Sequence, residues 1–565
     1  MSHFYDHVTS ESETISEILS QQIPLSDMTD DDRRRHRAAT TCVNCNGPFT
    51  HHNYKVRHHC HVTGQYLFPT CNNCNLQLKP PKCKDNKYFL PIIFHNLTNY
   101  DAHYVIKYFE RRHTQKIAEG QKVTYDDIKI IPLNGEQFLQ FQIGNLKFLN
   151  SFQFLSSSFE NIVSLLFKDG KHNFHTTKYL GDHDLGFAKG IYPYSYMTDR
   201  SKFDETRLPS IENFFNSINN EPLSDEDYRC AQQIWKFFDI KTLQQYHNHY
   251  LMSDVLLLAD VFEHFPRDVL QKHGLDCLHY PTLLSLAWSM ALKHAGAELD
   301  LIIHPQMYLM IENSIHGGSR PSPTDSLKAN NPLLPDFYPS KPTTFITYLD
   351  ANNLYGSAQS EPLPVGNFKF LNTDEITTFD LMSVPEDAPT GYIIDCDLDY
   401  PSHLHDAHSD YLLAPEHLVV SPEMLSPFAR NLSGKGWRPA QKLIRNLYSK
   451  IHYVTHYRNL QFYLKHGLVL TKIHRVLSFT QRPWHKPWIQ LCTSQRQNAR
   501  SEFEAQLANS RQIRHTVKLW NRFAIAKYST DSRSTETIKS GQQTVVSRSE
   551  NNQLSWSVQP ARKSC

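Results

Sequence analysis

The sequence predicts a multidomain chain of mixed α/β and α+β class, headed by a small cysteine-rich module. Three observations carry this expectation. The length of 565 residues suits three or four domains. Two Cys-x-x-Cys pairs, Cys42/Cys45 and Cys71/Cys74, stand near the N-terminal end. Beyond them, strongly apolar helices such as the one from Tyr246 to Phe265 follow and precede period-two strands such as the one from Thr390 to Pro401. Charge is balanced, with 58 Lys and Arg against 57 Asp and Glu, so no global field steers the chain to nucleic acid. Any DNA-binding surface has to be a local groove. No window is apolar enough to span a membrane, and the first residues lack a basic-then-apolar leader. An intracellular protein of nucleus or cytoplasm, not secreted, is expected. In that setting eleven cysteines point to metal, not disulfides.

Residues 1–40 read as polar and helical, with Thr29 and Asp32 placed as a capping box ahead of three arginines. Each Cys-x-x-Cys pair offers two thiolates from one turn, and two pairs complete a tetrahedral zinc site. Between the pairs lies Val56-Arg-His58-His59-Cys60-His61-Val-Thr-Gly64. Together with Asn75, this run resembles the endonuclease-VII-like His-nuclease module, in which Asp-His-x-His binds a metal and activates water. The resemblance implies nuclease roles for His59, His61 and Asn75. His58 stands where that module has its Asp, and an imidazole replaces the oxygen that a hard Mg²⁺ prefers. Residues 1–87 are therefore expected to be an N-terminal helix and a structural zinc module.

From Tyr88 the chain turns apolar. Pro91-Ile-Ile-Phe-His-Asn96-Leu-Thr-Asn-Tyr100-Asp101 is a strand running into a helix, and an acid in the first helical turn is an ordinary device on its own. Phe148-Leu-Asn-Ser151-Phe152 suits any core strand, and Ser224-Asp-Glu-Asp227 is a capping box. The Tyr246–Phe265 helix, ended by Pro266, places Tyr250 and Asp254 on one face, one turn apart. Leu251 and Val255-Leu-Leu-Leu258 around Asp254 favour its burial.

A mainly helical stretch then leads to Ile315-His-Gly317-Gly318, a glycine turn or hinge. Phe345-Ile-Thr-Tyr-Leu-Asp350 is a buried strand ending in a carboxylate, which by spacing alone bonds the following turn. Leu354 to Ser360 reads as a short helix stopped by Pro362, Pro364 and Gly366. In the strand from Thr390, residues Ile394, Cys396, Leu398 and Tyr400 face one way and three acids the other, a solvated sheet face. Arg458, Lys465, Lys472, Arg475 and Arg482 interleave with aromatics, as in a phosphate-tracking groove. From Tyr528 the composition is that of a disordered tail.

The string Tyr348-Leu-Asp350-Ala-Asn-Asn-Leu354-Tyr355-Gly356, followed by Pro362-Leu-Pro-Val-Gly366, resembles motif A of family B DNA polymerases. It is most similar to the protein-primed polymerases of Polinton/Maverick elements and related viruses. Asn96-x-x-x-Tyr100-Asp101 resembles exonuclease motif II of proofreading polymerases, and Tyr250-x-x-x-Asp254 resembles motif III. The resemblance implies an RNase H-like exonuclease domain at 88–270 and a helical linker with a Gly-Gly hinge at 271–344. It further implies a partial family B palm and fingers at 345–507 and a disordered tail at 508–565. By the same resemblance Asp350 binds the catalytic Mg²⁺, while Leu354 and Tyr355 meet the nucleotide, Tyr355 excluding a 2′-hydroxyl. Asp101 and Asp254 become metal ligands and Tyr250 orients the attacking water. Asn96, Ser151, Gly317 and Gly318 contact DNA.

The implied partners are a DNA template-primer, deoxynucleoside triphosphates and a protein primer, in replication of a transposable element or virus-like genome. Exonuclease motif I, the fingers helix and the motif C carboxylates of the family are not found in the sequence. A polymerase cut short at both ends is therefore expected, binding DNA without adding nucleotides or proofreading by itself. Two alternatives stand beside it: a non-catalytic DNA-binding remnant and an endonuclease-VII-like nuclease.

Overall fold

The computed structural model describes residues 2–78, 88–99, 101–120, 128–134, 137–180, 184–187, 189–316, 329–347, 353–409, 411–433, 438–505 and 543–545. The chain divides into two compact units, Met1–Leu286 with Ser501–Ser510, and Ala287–Arg500 with Arg511–Cys565. Among the described residues, no helix is long and apolar enough to cross a membrane.

The first unit opens with helices α1 (Ser2–Ser20) and α2 (Asp30–Ala38). The capping box is present: Thr29 Oγ1 accepts the Asp32 N–H at 3.1 Å, and the Asp32 carboxylate accepts the Thr29 N–H at 3.4 Å. Strands β1 (Lys55–His59) and β2 (Tyr66–Cys71) form an antiparallel hairpin that runs into α3 (Asn72–Gln77). Next come β3 (Leu90–Phe94), α4 (Asp101–Ala118), β4 (Ile128–Pro132), β5 (Phe138–Ile143) and β6 (Leu146–Asn150). They make a sheet of order β3-β6-β5-β4, in which β3 and β6 are parallel and the other pairs antiparallel. Its core stacks Phe141 on Phe148 at 4.6 Å, beneath Ala102, Val105 and Phe109 of α4 and Phe4 and Val8 of α1.

Helices α5 (Phe159–Asp169), α6 (Asp225–Phe237) and α7 (Leu243–His273) complete the unit. Ser224 caps α6 as expected, accepting the Asp227 N–H at 3.1 Å. Pro266 does not end α7. The helix continues to Gly274, left-handed at φ +62°, whose N–H closes on the Leu270 carbonyl. Proline removes one backbone bond, but Phe262, Phe265 and Val269 are buried on the same face and their burial outweighs that loss.

The second unit comprises α8 (Leu283–Ala295) from Ala287 onward, α9 (Pro305–Asn313), β7 (Phe345–Thr347), α10 (Leu354–Gln359), β8 (Leu363–Phe370), α11 (Thr373–Thr377) and β9 (Thr390–Asp399). It continues with β10 (Glu416–Val420), α12 (Pro427–Ser433), β11 (Ala440–Ile444), β12 (Lys450–His456), α13 (Tyr457–Lys465), β13 (Val469–Arg482) and α14 (Lys486–Gln497). Its main sheet has order β12-β9-β13-β8, all antiparallel, with a separate β10-β11 hairpin. Ile394, Cys396 and Leu398 pack under Leu460 and Tyr463 of α13, while Ile393 and Leu477 meet Met310 and Ile311 of α9 on the other face. Of the tail expected to be disordered, only β14 (Gln543–Val545), parallel to β7, falls among the described residues.

Pro364 does not break the chain into a loop but lies within β8, an edge strand where a missing N–H is tolerated. Gly366 leaves room there for the carboxylate of Asp300, which accepts the Asn367 N–H at 2.8 Å and would have to move for a Cβ.

The acids of β9 are a solvated face only in part: Asp399 is exposed and Asp397 partly so, but Asp395 is not. Asp395 is 2% exposed; one oxygen accepts Arg475 Nε at 3.1 Å and Nη2 at 2.9 Å, and the other lies 3.0 Å from His452 Nδ1. Register breaks in β12 and β13 swing His452 (φ +52°) and Arg475 onto this face. The predicted phosphate-tracking groove changes with it. Arg475 is committed to Asp395, and Arg458 bridges Glu361 and Glu386.

Candidate active site and metal centre

Cys42 starts a tight turn, its N–H on the Gly47 carbonyl and its carbonyl accepting the N–H of left-handed Asn46. Cys71 ends β2 and caps α3, its sulfur taking the Cys74 N–H at 3.5 Å. Each Cys-x-x-Cys pair thus turns both sulfurs the same way. All four sulfurs lie within 4.8 Å of one another, and Cys45 and Cys71 are 3.8 Å apart. Tetrahedral metal–sulfur bonds of about 2.3 Å place sulfurs about 3.8 Å apart. None of these cysteines is in a disulfide. Among the described residues, no other group of three or more His, Cys, Asp or Glu converges in this way.

The protonation pattern points the same way. Burial pushes the Cys42 thiol up, but hydrogen bonds from Thr70 and from the N–H groups of Cys45, Cys71 and Asn44 prevail and bring it down to about 5. Burial and the neighbouring sulfurs push Cys74 up to about 12. Four adjacent thiols cannot all ionise unless a cation neutralises them.

In the hairpin of this module, His58 Nδ1 lies 2.9 Å from Asn75 Oδ1, and the rings of His59 and His61 are 4.6 Å apart. Asn75 therefore meets the histidine that replaced the expected Asp. Burial, with His59 and His58 alongside, holds His61 below the usual imidazole range.

In the sheet of the first unit, Asn150 organises the loop ahead of α4. Its Oδ1 accepts the N–H of Asn96 at 2.9 Å and its Nδ2 donates to Thr98 at 2.8 Å. Asn96, exposed and left-handed at φ +68°, accepts Asn99 Nδ2 at 2.6 Å, and the loop delivers Asp101 as the first residue of α4. Burial raises the Asp101 carboxyl. Ser151 is buried, its hydroxyl donating to the Phe94 carbonyl and lying 3.0 Å from His95 Nδ1.

On α7, Tyr250 and Asp254 share one face as predicted. Tyr250 is buried and its hydroxyl lies 2.5 Å from that of Tyr194. A Cβ on Gly190 would come within 2.7 Å of the Tyr250 ring, so only glycine lets the chain pass there. Asp254 Oδ1 is buried without a hydrogen-bond partner among the described residues. Burial raises the Asp254 carboxyl, against the opposing pull of the Tyr250 hydroxyl and of Lys189. Lys189 also holds down His95, after burial, so one ammonium acts on both the end of β3 and the α7 carboxylate. Lys189 and Tyr194 escaped sequence reasoning; Lys189-Gly190 just ahead of Tyr192-Pro-Tyr194 was the available signal.

The sign of the Asp254 shift has a consequence. A carboxyl raised in the folded state costs stability when ionised, above its unfolded value near 3.8, and costs nothing once protonated. Asp254→Asn is expected to raise the melting temperature at pH 7 and to leave it unchanged at pH 3, as calorimetry at the two pH values can show.

Asp350, Gly317 and Gly318 lie outside the described residues. Leu354 and Tyr355 form the first turn of α10, with Tyr355 half-buried and its phenol raised by burial. Asn353 is left-handed at φ +54°, and a Cβ at position 356 would strike its side chain.

A comparison with curated proteins finds no match. Among solved structures the chain is similar to phi29 DNA polymerase complexed with primer-template DNA and incoming nucleotides, at 15% identity and a TM-score of 0.38, covering 75% of this chain and 58% of that one. It is also similar to phi29 DNA polymerase with single-stranded DNA, at 14% identity and a TM-score of 0.38, covering 74% and 57%. The chain thus spans less than two thirds of the length of these structures. Residues 84–419, more than half of the chain, match the DNA polymerases of type B, organellar and viral, and the chain belongs to that family.

Proposed function

We propose that the chain acts in template-directed DNA synthesis as a protein-primed polymerase of type B, replicating a transposable element or virus-like genome in the nucleus or cytoplasm. The observation that carries this reading is the family match, whose span from 84 to 419 includes Asp101, Tyr250, Asp254, Asp350 and Tyr355. Asp350 and Tyr355 serve nucleotide addition, the carboxylate as a Mg²⁺ ligand and the ring beneath the deoxyribose. Asp101, Asp254 and Tyr250 form an exonuclease-like centre, for which the unpartnered buried oxygen of Asp254 is a fitting cation ligand. Mg²⁺ at such carboxylates stabilises charge on attacking and leaving oxygens. Asn96, Ser151, Gly317 and Gly318 contact DNA, and the four cysteines hold a structural zinc. Four thiolates in a tetrahedron suit zinc better than any oxygen-seeking cation.

The test is primer extension by the full-length protein with Mg²⁺, alongside DNA binding at increasing salt. Extension is expected of a protein that also carries the fingers helix and motif C carboxylates not found in this sequence, and DNA binding without extension of this chain by itself, with affinity falling as phosphate contacts are screened. Salt-sensitive binding without extension by such a protein would leave the non-catalytic DNA-binding reading in its place.

A further inference from the structure

We infer that Arg458 is a positioning residue for the nucleotide site, fastening the helix that carries Tyr355 to α13, with a weaker second contact to the loop ahead of β9. The inference rests on the reading of Leu354 and Tyr355 as nucleotide-binding. Arg458 stands in the first turn of α13 with its side chain 11% exposed. Its Nη1 donates to Glu361 at 3.1 Å and its Nη2 to Glu386 at 2.9 Å.

The two carboxylates belong to different parts of the fold. Glu361 finishes α10: its N–H donates to the Ala358 carbonyl at 3.3 Å, continuing the turn that Ser360 closes on Gly356 and Ser357. Glu386 belongs to a loop that buried side chains hold at several points. Gln461 Nε2 donates to the carbonyls of Leu381 and Val384, both at 2.8 Å. The Tyr457 hydroxyl donates to the Glu386 backbone carbonyl at 2.9 Å, and Gln481 Nε2 donates to the Ala388 carbonyl at 2.7 Å. Tyr457, Gln461 and Gln481 are all buried. One end of the Arg458 bridge is therefore anchored, and the other end is the six-residue helix that presents Tyr355.

A guanidinium is a planar fork that engages two carboxylates at once, whereas an ammonium is a point charge on a flexible stem. Buried ion pairs are poor sources of stability relative to apolar packing, and their best-attested use is to fix register. Without the fork, α10 would lose the tie that runs through Glu361. The Glu361 arm is the one that matters most, since Glu386 is 66% exposed and screened by solvent.

The experiment compares Arg458→Gln, Arg458→Lys and Glu386→Gln in the full-length protein. It reads amide exchange across 354–361, melting temperature, and KM and kcat for nucleotide addition. Arg458→Gln is expected to speed exchange in α10 and to raise the nucleotide KM, each about tenfold, with kcat held within about twofold. Arg458→Lys should return the melting temperature to near wild type while KM stays raised, a split that a merely structural arginine would not produce. Glu386→Gln should have the smallest effect. Unchanged exchange in 354–361, or a Lys variant restoring stability and KM together, would overturn the inference. If the wild-type protein adds no nucleotide, the reading of the nucleotide site fails, while the exchange data still decide whether Arg458 fastens α10.

Discussion

Serine in place of Cys42 is expected to strip the metal from the N-terminal module and unfold it. The reason is the shortage of apolar burial there. Between residues 40 and 78, the described buried side chains are few, Cys42, Pro69, Thr70 and Cys71, while Tyr54, Leu67, Leu76 and Leu78 are exposed. A segment of this size without a core depends on its metal, and in small zinc modules the metal supplies about 10–16 kcal/mol of apparent folding free energy. Cys42 is the most tightly embedded ligand, its sulfur accepting the N–H of Cys71 at 3.2 Å and of Asn44 at 3.4 Å. The wild-type protein should carry one zinc, lost on treatment with a strong chelator. Metal analysis and amide exchange should show β1, β2 and α3 unprotected in Cys42→Ser, with α4 to α7 unchanged. Protection of the hairpin in a metal-free protein would contradict this account.

Nucleotide addition should fall by a factor on the order of 10³ in Asp350→Asn. The substitution keeps the size of the side chain and one oxygen but removes the charge proposed to hold a divalent cation, and phosphoryl transfer depends on positioning and metal electrostatics above all. DNA affinity should stay within about twofold, because binding of this kind is dominated by phosphate contacts elsewhere. Single-turnover kinetics with saturating primer-template separates the two effects. A variant that adds nucleotides at the wild-type rate would remove Asp350 from the chemistry.

Local chemistry was legible in the sequence, and distant pairing was not. The four cysteines could be read because two thiols on one turn need only their spacing, and the structure brings the two turns together. Tyr250 and Asp254 could be read because helical periodicity alone puts them on one face. Their surroundings could not, since Lys189 and Tyr194 come from an irregular segment that periodicity does not register. Arg458 and Arg475 looked like free cations because their carboxylates are far along the chain, at Glu361, Glu386 and Asp395. The burial of Asp395 depends on register breaks in two neighbouring strands, which no strand pattern announces. Helix α7 outran Pro266 because buried apolar contacts beyond the proline outweigh the lost backbone bond. In each case tertiary contact overrode a sound local rule.

The central claim is template-directed synthesis at Asp350, and single-nucleotide incorporation tests it most directly. The full-length protein is given a primed template with one defined next base, Mg²⁺, and each of the four deoxynucleoside triphosphates separately. The account predicts addition of the complementary nucleotide in strong preference to the other three, lost in Asp350→Asn. Absence of addition by the full-length protein, or addition that ignores the template base, would contradict it.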